Sequence, residues 1–352
     1  MKSNNKKIVK YGKSSQDLIS LKKVFFKNND ELLSNGRKIN EFYSQQPQRL
    51  KCKNCNHDLY DIAFGKLCVD YTICETCGHL NGMNEDTDAF CSHIYTDNKG
   101  VSYSELYNSK GVKEYNKRVE DIYAPKVKFM SDALLELGLD PVELRYADFG
   151  AGSGYFVSAM KNAGLNNVEG YEVSEQQVVY GNKLIGKDLL QQINLKDTVD
   201  KIKTLEVDMV SMIGVLEHVR NPREILSAIS TNQKIKYFYI SVPLFSASVF
   251  FEMVFPDVMN RQLSGAHTHL YTESSLEYMA NEFNFNTVAS WWFGTDMVDL
   301  FRSVSVLLEK NKSTKDMASV WTELFTPVVD SLQLCLDKKH MSSEVHMIFR
   351  VN

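Results

Sequence analysis

Apolar and polar positions follow two different rhythms along this chain. From residue 144 onward, short apolar runs alternate with helical repeats. Residues 146–149, 168–173, 207–215 and 237–242 read as strands, and 153–163, 175–185 and 222–231 as helices. That order predicts an α/β fold, a doubly wound parallel sheet covered on both faces. An apolar insertion over 243–265 follows, then a helix over 273–282 and a strand over 287–292. A largely helical stretch covers 294–336, and 345–351 reads as a final antiparallel edge. The rhythm before residue 144 is different. Residues 1–13 are polar and lysine-rich and read as a loose arm. Leu18, Leu21, Val24 and Phe25 then recur at helical spacing behind Ser14 and Ser15, and a second short helix is predicted over 30–43. Residues 51–95 are rich in Cys, His and Asn without periodicity, and 101–143 return to a helical pattern. Four parts are expected: a basic helical arm (1–50), a metal-binding segment (51–95), a helical connector (96–143) and an α/β domain (144–352).

Composition narrows the class. Of 352 residues, 43% are hydrophobic and 24% charged, the balance of a soluble globular chain. The best apolar run, 247–259, is broken by Glu252, Pro256 and Asp257, far short of the ~20 residues a spanning helix needs. No apolar stretch follows the N-terminal lysines, so a cytoplasmic protein is expected. The net charge of −4 conceals an asymmetry, because the first 53 residues carry a net +9. A solvated helix accounts for this most simply. The sharper alternative is contact with an anionic partner, such as nucleic acid, a phosphorylated substrate or another subunit.

Six of the seven cysteines fall between positions 52 and 91. Cys52-x2-Cys55 and Cys74-x2-Cys77 have the spacing of a four-thiolate zinc ribbon, in which two knuckles clamp one tetrahedral ion. Four protein ligands close the coordination sphere, so a structural Zn2+ is expected. Cys68, Cys91, His57, His79 and His93 are spare donors.

The stretch Tyr146-Ala147-Asp148-Phe149-Gly150-Ala151-Gly152-Ser153-Gly154-Tyr155 runs from a strand into a helix through three glycines. Bare backbone there lets a ligand lie against the turn. Glu172 ends the next strand, where an acid can hold ribose hydroxyls. A dinucleotide fingerprint would need glycine at 155, where Tyr155 stands. The spacing D-x-G-x-G-x-G instead resembles motif I of class I S-adenosylmethionine (SAM)-dependent methyltransferases. Val215-Leu216-Glu217-His218-Val219, with Pro222, resembles the segment after the fourth strand in small-molecule methyltransferases of the ubiquinone-biosynthesis type. His267-Thr268-His269-Leu270-Tyr271-Thr272, with Ser275 and Leu276, resembles a later segment of the same enzymes. The resemblance covers about 144–310. It implies a Rossmann-like, seven-stranded methyltransferase sheet, with SAM held by Asp148, Gly150, Gly152, Gly154, Glu172, Val173 and Gly214.

Methyl transfer from a sulfonium needs alignment and water exclusion, with a base only for an alcohol or an acidic C–H. His218, beyond the fourth strand, and His267 and His269, after the insertion, are the candidate catalytic residues. Glu217 orients a histidine or caps the next helix. Phe250, Phe251, Met253, Phe255 and Met259 read as a lid or as an ordinary packed helix, and Asp296 and Asp299 as acceptor contacts. A zinc-binding N-terminal module joined to this core is similar to nucleotide-sugar C-methyltransferases. The expected acceptor is thus a small molecule, a sugar or nucleotide-sugar methylated on carbon or oxygen. An RNA methyltransferase with a zinc finger and a non-catalytic zinc-ribbon adaptor are the alternatives.

Overall fold

A computed structural model describes residues 7–15, 28–95, 111–263 and 267–352. The helix expected from residue 14 and the first part of the connector lie outside these residues. So do Gly265 and Ala266.

The main sheet has eight strands, six of them where the apolar runs predict. In chain order these are β1 (Ile8–Tyr11), β5 (Tyr146–Phe149), β6 (Val168–Glu172), β7 (Leu190–Gln192), β8 (Met209–Ile213), β9 (Tyr237–Pro243), β11 (Phe285–Phe293) and β12 (Glu344–Val351). They lie side by side as β1-β11-β12-β9-β8-β5-β6-β7. β12 runs antiparallel to both of its neighbours, and the other pairs are parallel. The seven strands that the resemblance implies are therefore present, β7 being the one the apolar runs did not mark, and an eighth joins them. The arm read as loose over 1–13 contains β1, paired in parallel with β11 from Ile8↔Ala289 to Tyr11↔Trp292. Two features hold it there. Trp291 Nε1 donates to the Gly12 carbonyl at 2.9 Å, and the Lys10 ammonium sits 3.8 Å from the Trp291 ring centre.

Strand residues alternate between the two faces. Ala147, Phe149, Val210 and Met212 feed one apolar core, and Tyr146, Met209, Tyr237 and Tyr239 the other. Burial on both faces explains why these strands read as continuous apolar runs. From β5 the chain winds out to β7, then returns to β8 on the opposite side of β5. The crevice between the C-terminal ends of β5 and β8 is the topological switch point, where open α/β sheets bind ligands.

Residues 51–95 form a second sheet from β2 (Phe64–Lys66), β3 (Val69–Ile73) and β4 (Leu80–Gly82). Its order is β10-β4-β3-β2, where β10 (His269–Leu270) comes from the α/β part of the chain. The cysteine-rich segment is thus joined to the larger domain by a shared strand. Tyr43 of α1 (Asn29–Ser44) and Phe90 of α2 (Asp88–Tyr95) share an apolar cluster with Tyr71, Leu80, Val249 and Leu270.

Candidate active site and thiolate cluster

The glycine turn follows β5 directly. Gly150, Gly152 and Gly154 all have positive φ (+69°, +54° and +74°), a region L side chains rarely adopt. At Gly150 a Cβ would also stand 2.5 Å from a Val215 methyl. The next strand delivers Glu172. Its Oε2 accepts from the Gly152 amide at 2.8 Å, and its Oε1 accepts from the Val173 and Ser174 amides at 2.8 and 2.9 Å. One carboxylate thereby ties the turn to the end of β6. Asp148, buried beneath the turn, accepts from Ser211 Oγ at 2.6 Å. Burial is the main cause that pushes its carboxyl up to about 7, and the nearby Glu172 adds to the shift. Gly214 (φ +71°) turns the chain at the end of β8. The structure therefore brings Asp148, Gly150, Gly152, Gly154, Glu172, Val173 and Gly214 around one crevice.

Tyr155 is 5% exposed. Its ring stacks on Tyr115 at 4.7 Å and on Tyr123 at 5.4 Å. Tyr115 in turn donates from its hydroxyl to the Ser153 carbonyl of the turn. The ring fills the place a dinucleotide fingerprint keeps bare. The turn fits a ligand needing only two close backbone approaches and an acid one strand over, as the methionine and ribose parts of SAM do.

Across the crevice, Glu217 and His218 sit on a single 3-10 turn, Leu216–His218. Ligand atoms of Glu217, His218 and His267 all lie within 4.8 Å of one another. Glu217 Oε1 is 3.9 Å from His218 Nε2, and the His218 and His267 ring centres are 5.1 Å apart. Burial pushes the Glu217 carboxyl up to about 8, and Glu344 adds to the shift. Burial pushes the His267 imidazole down to about 4. The Nδ1–H of His267 donates to the Gln262 carbonyl at 2.9 Å, which leaves a lone pair on Nε2. Two of the three expected histidines are thus neighbours. His269 is not among the three residues of that cluster. It lies fully buried on β10, its Nδ1 sharing a proton with His79 Nε2 at 2.7 Å and its ring edge-on to Tyr271. Glu217, read as an orienting or capping residue, is the acid this cluster adds.

The insertion forms helix α3 (Ala247–Val254). Among its apolar residues, Phe250 is 54% exposed. Its Glu252 accepts from the Arg261, Gln262 and Leu263 amides and pairs with Lys66. Asp296 and Asp299 bind Ser246, Ser248 and Arg261. These contacts anchor the insertion.

Cys52, Cys55, Cys74 and Cys77 are all buried, with sulfurs within 4.8 Å of one another. Cys52 Sγ is 3.7 Å from Cys77 Sγ, and Cys55 Sγ is 3.5 Å from Cys74 Sγ. A tetrahedral ion with bonds of about 2.3 Å holds sulfurs about 3.8 Å apart, so the thiols fit a thiophilic cation. Each knuckle closes with an amide, Asn56 N to the Cys52 carbonyl and Gly78 N to the Cys74 carbonyl. Asn81 Nδ2 also approaches Cys52 Sγ at 3.5 Å. Cys68 is exposed, and Cys91, His57 and His79 make other contacts.

Comparison with known proteins agrees with this geometry. The family model described as "Methyltransferase domain" matches residues 115–290, half of the chain. The chain belongs to that family. As a methyltransferase it is similar in structure to several solved relatives. One is the magnesium protoporphyrin IX methyltransferase of Synechocystis PCC 6803, at 11% identity and TM-score 0.44, over 71% of this chain and 93% of that chain. Another is a SAM-dependent methyltransferase of Archaeoglobus fulgidus, at 16% identity and TM-score 0.40, over 71% and 100%. A third is the geranyl diphosphate C-methyltransferase of Streptomyces coelicolor, at 11% identity and TM-score 0.41, over 70% and 85%. No curated protein matches the chain. No described helix of the methyltransferase is long and apolar enough to cross a membrane.

Proposed function

We propose that this methyltransferase takes its methyl group from SAM and delivers it to a small hydroxylated or keto-bearing acceptor, a sugar or nucleotide-sugar, with residues 144–352 as the catalytic domain and 51–95 as a structural zinc module. The observation that carries the donor assignment is the glycine turn locked to Glu172 across the switch point. SAM supplies an activated methyl carbon whose bond to sulfur breaks, with its electron pair, as the acceptor attacks. The chain's own residues do the rest. Gly150 and Gly152 keep the turn free of side chains, and the Glu172 carboxylate stands where ribose hydroxyls can replace amide donors. Val215 packs on Gly150 and helps keep water from the crevice. His267, neutral near pH 7, keeps a lone pair on Nε2, and its ring lies beside His218 and Glu217. An acceptor hydroxyl can lose its proton there.

An RNA acceptor is less well supported, because five basic residues of the N-terminal region meet groups of the chain itself. Arg49 pairs with Glu85 and Asp86, Lys51 with Asp58 and Lys53 with Asp86, while Lys10 and Lys13 lie over Trp291 and Phe293. Calorimetry with SAM, followed by transfer of labelled methyl to nucleotide-sugar, RNA and protein fractions, tests the proposal. Micromolar SAM binding, abolished by Gly152→Arg, with label in the nucleotide-sugar fraction is expected. No SAM binding rejects the donor, and label in RNA alone rejects the acceptor.

A further inference from the structure

We infer that Lys126 and Glu344 form the subsite that grips the acceptor, holding two neighbouring hydroxyls of an uncharged sugar ring, with Lys126 donating and Glu344 accepting. The inference rests on the methyl-transfer reading and deepens it by naming what recognises the acceptor. Position comes first. Glu344 is the first residue of β12 and pairs with Pro243 and Phe293, the last residues of β9 and β11. It therefore stands at the edge of the sheet where the parallel strands end. Counted through β9 and β8, it is three strands from β5, about 14 Å from the glycine turn at the usual strand spacing. The turn after β8, with Glu217 and His218, lies between the two. An acceptor that reaches past those side chains from the donor comes to Glu344. Lys126 arrives at the same place from the helix Ala124–Glu136. Its charge also acts on the Asp148 and Glu217 carboxyls, against the upward push of burial.

Both charges are built in and left open. Lys126 is 8% exposed, yet among the described residues its nearest carboxylate oxygen is Glu344 Oε1 at 3.8 Å, too far for a hydrogen bond. A buried ammonium in that state costs free energy until an oxygen meets it. Glu344 is held back from closing the gap by a buried chain of hydrogen bonds. Its Oε1 accepts from the Nε2–H of His346 at 2.9 Å. His346 Nδ1 takes the Tyr239 hydroxyl proton at 2.7 Å, the shorter of the two contacts which that hydroxyl makes. Tyr239 and His346 are fully buried. Burial pushes the His346 imidazole down to about 4, so it is neutral and the order of donors is fixed. Burial opposes the charge on Glu344, but Lys126 and the His346 N–H hold its carboxyl well below the usual range. The Glu344 side chain remains 33% exposed, open to a ligand. A fixed cation beside a fixed carboxylate selects what binds. An apolar acceptor would leave both charges covered and unmet. An anion would be repelled by Glu344, and an amine by Lys126. A vicinal diol suits both, since one hydroxyl accepts from the ammonium while the next donates to the carboxylate.

Transfer of labelled methyl to a dilution series of the nucleotide-sugar fraction tests this in Lys126→Met and Glu344→Gln, which remove each charge and keep each shape. Each substitution should raise the apparent KM roughly tenfold to a hundredfold, the loss of one charge-assisted hydrogen bond, and lower kcat much less. Thermal melts check folding, and SAM calorimetry on the same samples should give the wild-type affinity. An unchanged KM in both variants overturns the subsite while the acceptor reading stands. A rise in Lys126→Met alone means that the ligand is an anion and overturns the diol. Loss of SAM binding in variants that melt normally assigns the pair to the donor and overturns its role toward the acceptor. Wild-type protein that binds SAM but leaves the nucleotide-sugar fraction unlabelled overturns the acceptor reading instead, and with it the subsite.

Discussion

At the scale of single residues, Asp148 offers a test in which the sign is fixed by burial. Its carboxyl is pushed up to about 7, above the usual Asp value, so the charged form is disfavoured in the fold. The unfolded chain releases that proton at lower pH. Asp148 therefore costs nothing below about pH 4, costs progressively more as pH rises to 7, and is level beyond. Asp148→Asn keeps an acceptor for Ser211 and should remove this slope, gaining up to about 4 kcal/mol relative to wild type between pH 4 and pH 8. Urea melts at both pH values read the difference; parallel curves would show that Asp148 stays ionised in the fold. A second residue-scale expectation concerns His218. His218→Ala should lower turnover by about 10²–10⁴-fold while SAM affinity holds, measured by single-turnover kinetics beside calorimetry. Unchanged turnover rejects any role for this side chain in the chemistry. The turn residues were legible in the sequence because only glycine serves at three left-handed positions, and because the acid must end the adjacent strand. Glu217 was readable only as a cap or an orienter. Its partner His267 lies about 50 residues away, and the Gln262 carbonyl that sets the tautomer is backbone, which no motif encodes.

At the scale of elements, the ribbon and the catalytic domain share β10, a two-residue strand. Gly82 N donates to the Thr268 carbonyl, Thr272 Oγ1 donates to the Gly78 carbonyl, and Asn54 Nδ2 donates to the Ser275 carbonyl. Thr268 is the residue next to His267, so order in the cysteine knuckles is passed directly to the candidate site. Cys74→Ser should reduce zinc from about one per chain to a small fraction and lower SAM-dependent turnover, though Cys74 touches neither SAM nor acceptor. Metal analysis and activity on the same sample decide it; full turnover in a zinc-free protein would uncouple the two elements. The helices Glu175–Ile185, Pro222–Thr231 and Glu273–Glu282 fall where the periodicity predicts them. Each has a clear start: Ser174 accepts from Gln177 N, Pro222 opens the second, and Thr272 with Ser275 forms a capping box. β7 and β10 went unread because two or three residues carry no period. Their pairing is dictated by partners distant in sequence.

At the scale of the whole molecule, the first strand ties the N-terminal region to the far edge of the sheet. Ile-Val-Lys-Tyr is too short and too close to lysines to stand out as a strand, and its partner residues in β11 lie 281 positions away. Only the folded sheet supplies the ladder, the Gly12 carbonyl for Trp291 Nε1 and the ring beneath Lys10. Removing residues 1–12 should therefore cost more than a loose arm would. A few ladder bonds at about 1 kcal/mol each, with one cation–π contact of about 0.5–1 kcal/mol, sum to about 2–4 kcal/mol. The loss should appear as a lower urea midpoint. Light scattering should also rise on mild heating, since β11 would become an exposed edge presenting Trp291 and Trp292. Lys10→Met separates the two contributions: it keeps the strand and loses only the cation, so its midpoint should fall by a minor part of the truncation's effect. Equal losses in both would mean that the lysine, rather than the ladder, holds the edge. No loss in either would leave the basic region free for the anionic partner that its charge suggests.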